Sequence, residues 1–155
     1  MNERQTAFRI LNKIERNHAY SNLVLDSELK EAAGNKPFSG LVTALVYGVT
    51  ERKITLDFLL SSFLKQPIKK LRPEVLTALR MGVYQLKFMD KIPPSAAVNE
   101  SVKLVKSNGC AYASGLVNSV LRKVSLADIQ YPNTGNLAYD FSVRYSCPEP
   151  LVEHY

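Results

Sequence analysis

The sequence predicts an all-α fold. Apolar residues recur every three or four positions along most of the chain, the spacing that gathers them on one face of a helix. No segment alternates apolar and polar residues over the length of a strand, as a half-buried strand would. The prolines, Gly34, Gly109 and capping residues such as Ser21 fall between the periodic runs, where helices start and stop.

Residues 2–17 carry Ala7, Ile10, Leu11 and Ile14 on one stripe. A second helix is expected over 21–33. Ser21 is a good N-cap, Gly34 a good stop, and Leu25, Leu29 and Ala32 face inward. From Pro37, the positions Phe38, Leu41, Leu45 and Val49 step by three or four, and a further stripe of Leu56, Leu59, Leu60, Phe63 and Leu64 runs up to Pro67. Arg72-Pro73-Glu74 is a helix start: proline lacks the N–H that would go unpaired there, and a carboxylate suits the positive end of the helix dipole. Leu76, Leu79, Val83 and Leu86 come next. Pro93 and Pro94 break the chain before a helix over about 95–107, with Val98, Val102 and Val105 inward and Asn108-Gly109 at its close. The last strong helix, about 110–126, places Ala113, Leu116, Val117, Val120, Leu121 and Val124 on one broad face. Gly40, Gly48, Gly82 and Gly115 all fall inside helical patterns, where each costs about 1 kcal/mol relative to alanine. Close approach of neighbouring helices is the expected compensation. Residues 127–136 read as a linker, and the pattern turns helical again before stopping at Tyr155 on a fresh apolar run of Leu151, Val152 and Tyr155. That uncapped stop predicts a natural protein that continues.

With 46% hydrophobic and 22% charged residues the chain reads as globular. No run of about 18 apolar residues marks a membrane span, and the polar start MNERQTAFRI is unlike a secretory signal. Cys110 and Cys147 lie far apart without metal-ligand spacing, which reads as free thiols in a reducing cytoplasm. The net charge of +6 is unevenly spread. Residues 1–126 hold 19 Lys and Arg against 10 Asp and Glu, while 127–155 hold one Arg against four acids. A basic domain points to an anionic partner, most simply nucleic acid.

Catalytic patterns are absent from the sequence. There is no GxGxxG after a strand, no Walker A loop and no HExxH. His18 and His154 lie far apart, and the carboxylates are scattered among basic residues on what read as solvated faces. The basic residues do form groups. Arg9, Lys13 and Arg16, spaced i, i+4, i+7, share one face of the first helix, with Arg4 a turn before them. Arg52-Lys53 and Arg122-Lys123 sit near helix ends, and Lys65, Lys69, Lys70 and Arg72 crowd the segment around Pro67 and Pro73. Such groups suit phosphates, although Lys and Arg late in a helix also stabilise its dipole. Tyr20, Tyr47, Tyr84 and Tyr112 could stack on unpaired bases, but their helical positions read as core or half-buried. Asn99 and Asn118 sit within apolar helix faces and read as buried structural residues.

The stretch from Ile92 to Val124, IPPSAAVNESVKLVKSNGCAYASGLVNSVLRKV, resembles the paired last helices of the NusB family of RNA-binding domains. RQTAFRILNKIE resembles that family's opening helix. HAYSNLVL, LVYGVTERKITLDFLL and IPPSAAVNESV resemble, more narrowly, the N-terminal domain of bacterial 16S ribosomal RNA cytosine-5 methyltransferases of the RsmB (Sun) type. RYSCPEPLVEHY looks like the segment leading from that domain into the catalytic part.

The resemblance implies a NusB-like bundle of about seven helices in two subdomains. It implies an RNA-binding domain over 1–126, then a linker and the start of a methyltransferase region over 127–155. The implied role is to bind 16S ribosomal RNA and present it to the protein's own C-terminal methyltransferase domain. S-adenosylmethionine is the implied cofactor of that absent domain, with none in this chain. Cys110 and Cys147 do not match the catalytic motifs. The candidate RNA contacts are Arg4, Arg9, Lys13, Arg16, Arg52, Lys53, Lys69, Lys70, Arg72, Arg122 and Lys123. One departure is that free-standing NusB proteins often open on a dense arginine run, whereas the basic residues of the first helix are spaced here. A free-standing antitermination factor, binding RNA and a ribosomal protein, is the alternative reading; a helical domain that binds only protein is a third.

Overall fold

The computed structural model describes residues 2–17, 40–129, 131–132 and 134–146. The expected helix over 21–33, and the expectations at His18, Tyr20, Phe38, Cys147 and His154, lie outside them. Seven α-helices and two 3₁₀ turns make up the regular structure among the described residues, with no strand. The helices are α1 Glu3–Asn17, α2 Gly40–Glu51, α3 Lys53–Ser61, α4 Pro73–Phe88, α5 Pro94–Ser107, α6 Ser114–Leu126 and α7 Leu137–Tyr145.

Most helix ends have a local cause. At α1, Asn2 Oδ1 accepts the N–H of Gln5 at 2.8 Å, which satisfies one orphan donor. Pro73 and Pro94 open α4 and α5 as first residues, as the Arg72-Pro73-Glu74 and double-proline signals predict. Gly109 adopts φ +79° after α5, and the N–H of Cys110 returns to the Val105 carbonyl at 2.9 Å. This is the glycine-terminated helix end that Asn108-Gly109 predicts. The stripe expected to run through Phe63 and Leu64 instead stops at Ser61. Both residues donate their N–H to the Leu60 carbonyl, at 3.0 and 3.1 Å, as the chain turns away before Pro67.

Helix α4 is the axis of the molecule. It touches α1, α2 and α3 on one side and α5 and α6 on the other. All nine residues from Val75 to Val83 are buried. The stripe Leu76, Leu79, Val83 therefore understates the burial, because α4 has neighbours all round. Its buried polar residues are paired, as burial demands, while the shielded Oε2 of Glu74 in its first turn has no hydrogen-bond partner and meets Arg72 Nε at 3.5 Å. Thr77 Oγ1 meets Asn12 Oδ1 at 2.5 Å, Ser101 Oγ donates to the Ala78 carbonyl at 3.0 Å, and Gln85 Nε2 donates to the Met81 carbonyl at 2.9 Å.

Two of the four helical glycines allow close helix approach. A Cβ on Gly48 would collide with the Tyr84 ring, and one on Gly82 would lie 2.5 Å from Leu121 Cδ1 and 2.9 Å from Ser101 Oγ. Gly40 and Gly115 have nothing within reach. These two sit in the first turns of α2 and α6, so the expectation of close packing does not hold for them.

Helix α7 docks on α3. Thr55, fully buried, donates its hydroxyl to the Val143 carbonyl, and the N–H of Ile54 donates to Ser146 Oγ at 3.0 Å. Asn136 caps its start, accepting the Tyr139 N–H at 3.1 Å, and Ser146 closes it in the left-handed conformation. Thr55→Val removes that hydroxyl without changing shape and leaves the Val143 carbonyl short of a partner. A loss of about 1–2 kcal/mol is expected in urea unfolding; an unchanged midpoint would mean that α7 does not depend on this bond.

Candidate nucleic-acid interface

The structure divides the candidate basic residues into places with different chemistry. Arg9 and Arg16 are exposed on the outer side of α1, and Lys13 between them is half-buried. Arg4, at the start of the same helix, is committed elsewhere: its Nε donates to Gln85 Oε1 at 2.8 Å. Arg52 lies exposed between α2 and α3, with its guanidinium 4.4 Å from the centre of the Phe88 ring. This is a cation–π contact. Lys53 pairs with Glu15 at 3.3 Å.

Lys69, Lys70 and Arg72 are grouped at the 3₁₀ turn Ile68–Lys70, just before α4. All three are exposed, and Arg72 also meets Glu74 at 3.5 Å. Arg52, beside Phe88, marks the opposite end of α4. Sixteen residues separate the two ends of that helix, about 24 Å of rise. No single small ligand can therefore engage both groups, whereas a polyanion can.

Lys123 and Lys65, from separate parts of the sequence, are brought to one groove of about 390 Å³ between residues 63–66 and α6. Phe63, Leu64, Leu116 and Val120 give it an apolar lining, with Gln66 and Ser119 among the polar groups. Arg122 is exposed one residue before Lys123, and its Nε donates to Asn118 Oδ1 at 3.1 Å. Asn118 is thus half-buried and Asn99 exposed. Neither is the buried asparagine that its apolar neighbours suggested, because each lies at the edge of its helix's inward face. Tyr47 and Tyr84 are half-buried as expected, but Tyr112 is 71% exposed. It belongs to the 3₁₀ turn Ala111–Ala113 rather than to the helix proper, so helical position was the wrong guide to its burial.

Sequence reasoning missed the buried ion network that holds α1, α3 and α4 together. Arg80, only 6% exposed, makes a two-pronged contact with Asp57: Nε to Oδ1 at 2.7 Å and Nη2 to Oδ2 at 2.9 Å. Its Nη1 lies 3.6 Å from Glu15. Asp57 and Glu15 are therefore not simply solvated carboxylates. A signal was present: Arg80 sits between Leu79 and Met81 in the most apolar stretch of α4, where a charge is tolerated only with a partner. The network also draws Lys53 partly away from solvent. Among the described residues, no cluster of three His, Cys, Asp or Glu could hold a metal, and no helix is long and apolar enough to cross a membrane.

Comparison with known families matches residues 1–126 to the NusB family. The chain belongs to the NusB family. The family match stops at the end of α6 and does not take in α7. A probable ribosomal RNA small subunit methyltransferase B from Synechocystis is 37% identical over 151 residues, covering 97% of this chain and 34% of that protein. The corresponding protein of Bacillus subtilis is 40% identical over 121 residues, covering 78% of this chain and 27% of its own length. The transcription antitermination protein NusB of Ruminiclostridium cellulolyticum is 29% identical over 134 residues, covering 86% of this chain and 92% of that protein. The chain thus spans about a third of the methyltransferase relatives' length.

Proposed function

We propose that this NusB domain is the RNA-binding, substrate-presenting part of an S-adenosylmethionine-dependent 16S ribosomal RNA (cytosine-C5) methyltransferase in the cytoplasm. The observation that carries the reading is the extent of the Synechocystis match. It takes in 97% of the chain, and so reaches past residue 126 through the segment that holds α7. The work of the domain is positional. Exposed Arg and Lys hold phosphates, and the binding energy places one unpaired cytosine in a neighbouring catalytic pocket.

The 63–66/α6 groove is rimmed by Lys65 and Lys123 and offers no carboxylate to take ribose hydroxyls. In this reading the methyl-transfer chemistry belongs to the other part of the protein. The test is methylation of 16S RNA by the full-length protein, with and without residues 1–126. Loss of cytosine methylation on removal is the expected result; full activity without the domain would sink the presenting role.

The antitermination reading is supported by the NusB relative, of which the chain covers 92%. The two readings predict different genes beyond residue 155. Some 250–300 further residues with a glycine-rich loop after a strand, roughly two domains' worth, favour the enzyme.

In either case the outer side of α1 contributes to RNA binding. Arg9→Gln, Lys13→Gln and Arg16→Gln together remove three phosphate-binding charges, and affinity for RNA is expected to fall about tenfold or more at low salt. The circular dichroism of the helices should not change. Equal affinity of wild type and triple variant would place the interface elsewhere, with Lys65, Lys69, Lys70, Arg72 and Lys123 next in line.

A further inference from the structure

Helix α7 is held by one face and presents apolar side chains on the other. Ser142 and Val143 are buried toward α3. Leu137, Phe141 and Tyr145 are 83%, 45% and 60% exposed. They stand at i, i+4 and i+8, which forms one continuous stripe. The Phe141 and Tyr145 rings already pack on each other, with centroids 4.5 Å apart. A scattered exposed leucine needs no explanation, but an ordered apolar stripe on a docked, capped helix does.

We infer that this stripe is the docking face for the catalytic part of the same protein, an apolar surface of the next domain in the methyltransferase reading, on which the inference rests. Three observations select this occupant. The methyltransferase relative shares this segment and carries about two thirds of its length beyond the match. The stripe offers only about 300–400 Å² of side-chain area, against about 800 Å² per partner in a stable complex of separate chains. A tethered domain needs far less area, because the linker supplies a high effective concentration. The segment that carries the stripe is also poor in the charge that RNA would seek: residues 127–155 hold four acids and one arginine, and the Arg144 guanidinium is placed 5.0 Å from the Tyr131 ring. Docking here fixes the catalytic domain to α3, and through the Asp57–Arg80–Glu15 network to α1, whose outer side carries Arg9 and Arg16.

The test is thiol labelling of Phe141→Cys, with Leu137→Cys as a second probe, in the 1–155 chain and in the full-length protein. The 1–155 chain has its own continuous core from Ala7 to Val124, and both positions are exposed, so neither variant should unfold it. Maleimide attachment is followed at the labelled peptide by mass spectrometry. We expect labelling at least tenfold slower in the full-length protein, with Tyr112→Cys, exposed elsewhere, labelled equally in both. Equal rates at Phe141→Cys overturn the inference, while 16S methylation by the same full-length protein leaves the functional reading standing. Protection that appears in the 1–155 chain as its concentration rises assigns the stripe to a second copy and overturns it. Protection of that chain by added RNA does the same. A full-length protein without methyltransferase activity overturns the reading and the inference together.

Discussion

Asp57→Ala is expected to lower the stability of the domain by about 3 kcal/mol, near the low end for removing one partner of a buried ion pair. Arg80 is 6% exposed, and its fork closes on both Asp57 oxygens at 2.7 and 2.9 Å. Without Asp57 the guanidinium keeps only Glu15, at 3.6 Å, and cannot reach bulk water. For a domain of this size the loss corresponds to a fall in Tm of about 10 °C. The paired replacement Asp57→Leu with Arg80→Met removes both charges and keeps similar volume. It should recover to within about 1 kcal/mol of wild type, because two well-packed apolar side chains match a desolvated ion pair in stability. Urea unfolding of Asp57→Leu, Arg80→Met and the double variant measures the coupling. A loss below about 1 kcal/mol for Asp57→Ala would show that solvent screens the pair after all.

The second large effect is a difference in sign between two glycines that look alike in sequence. Gly82→Ala should destabilise by about 1–2 kcal/mol. The new methyl would sit 2.5 Å from Leu121 Cδ1, 2.8 Å from Leu121 Cδ2 and 2.9 Å from Ser101 Oγ. Leu121 and Ser101 are fully buried, so the clash has no exit to solvent. Overpacking of this kind costs about 1–3 kcal/mol, which outweighs the gain of about 1 kcal/mol in helix propensity. Gly115→Ala meets open space, keeps the propensity gain, and should be neutral or stabilising by up to about 1 kcal/mol. Thermal unfolding of both variants decides the matter. Equal effects would mean that the α4–α6 contact can open without cost.

Much of this fold is legible in the chain because helical periodicity is a relation between near neighbours. The Arg72-Pro73-Glu74 start, the double proline at 93–94, the Asn108-Gly109 stop and the stripe Val117, Val120, Leu121, Val124 can all be read without knowing what they touch. The candidate site was less legible. Arg9 and Arg16 are exposed on α1 as the i, i+7 spacing suggests, but the same kind of reading could not separate Lys53, tied to Glu15, or Arg4, tied to Gln85, from their exposed neighbours. Tyr112 escaped for a related reason: a 3₁₀ turn rotates its residues off the α-helical stripe, so periodicity misplaced it.

By itself, then, the sequence determined an all-α class, a basic 1–126 region and a resemblance to the NusB family, all of which rest on composition, local spacing and motif order. Only the tertiary structure decided which glycines are essential, that Arg80 is a buried strut, that Lys65 and Lys123 share a groove, and that α7 lies on α3 with Leu137, Phe141 and Tyr145 turned outward. Each of these depends on the distance between residues far apart in the chain. Burial, ion pairing and close packing are set by those distances, and a helical repeat leaves them undetermined.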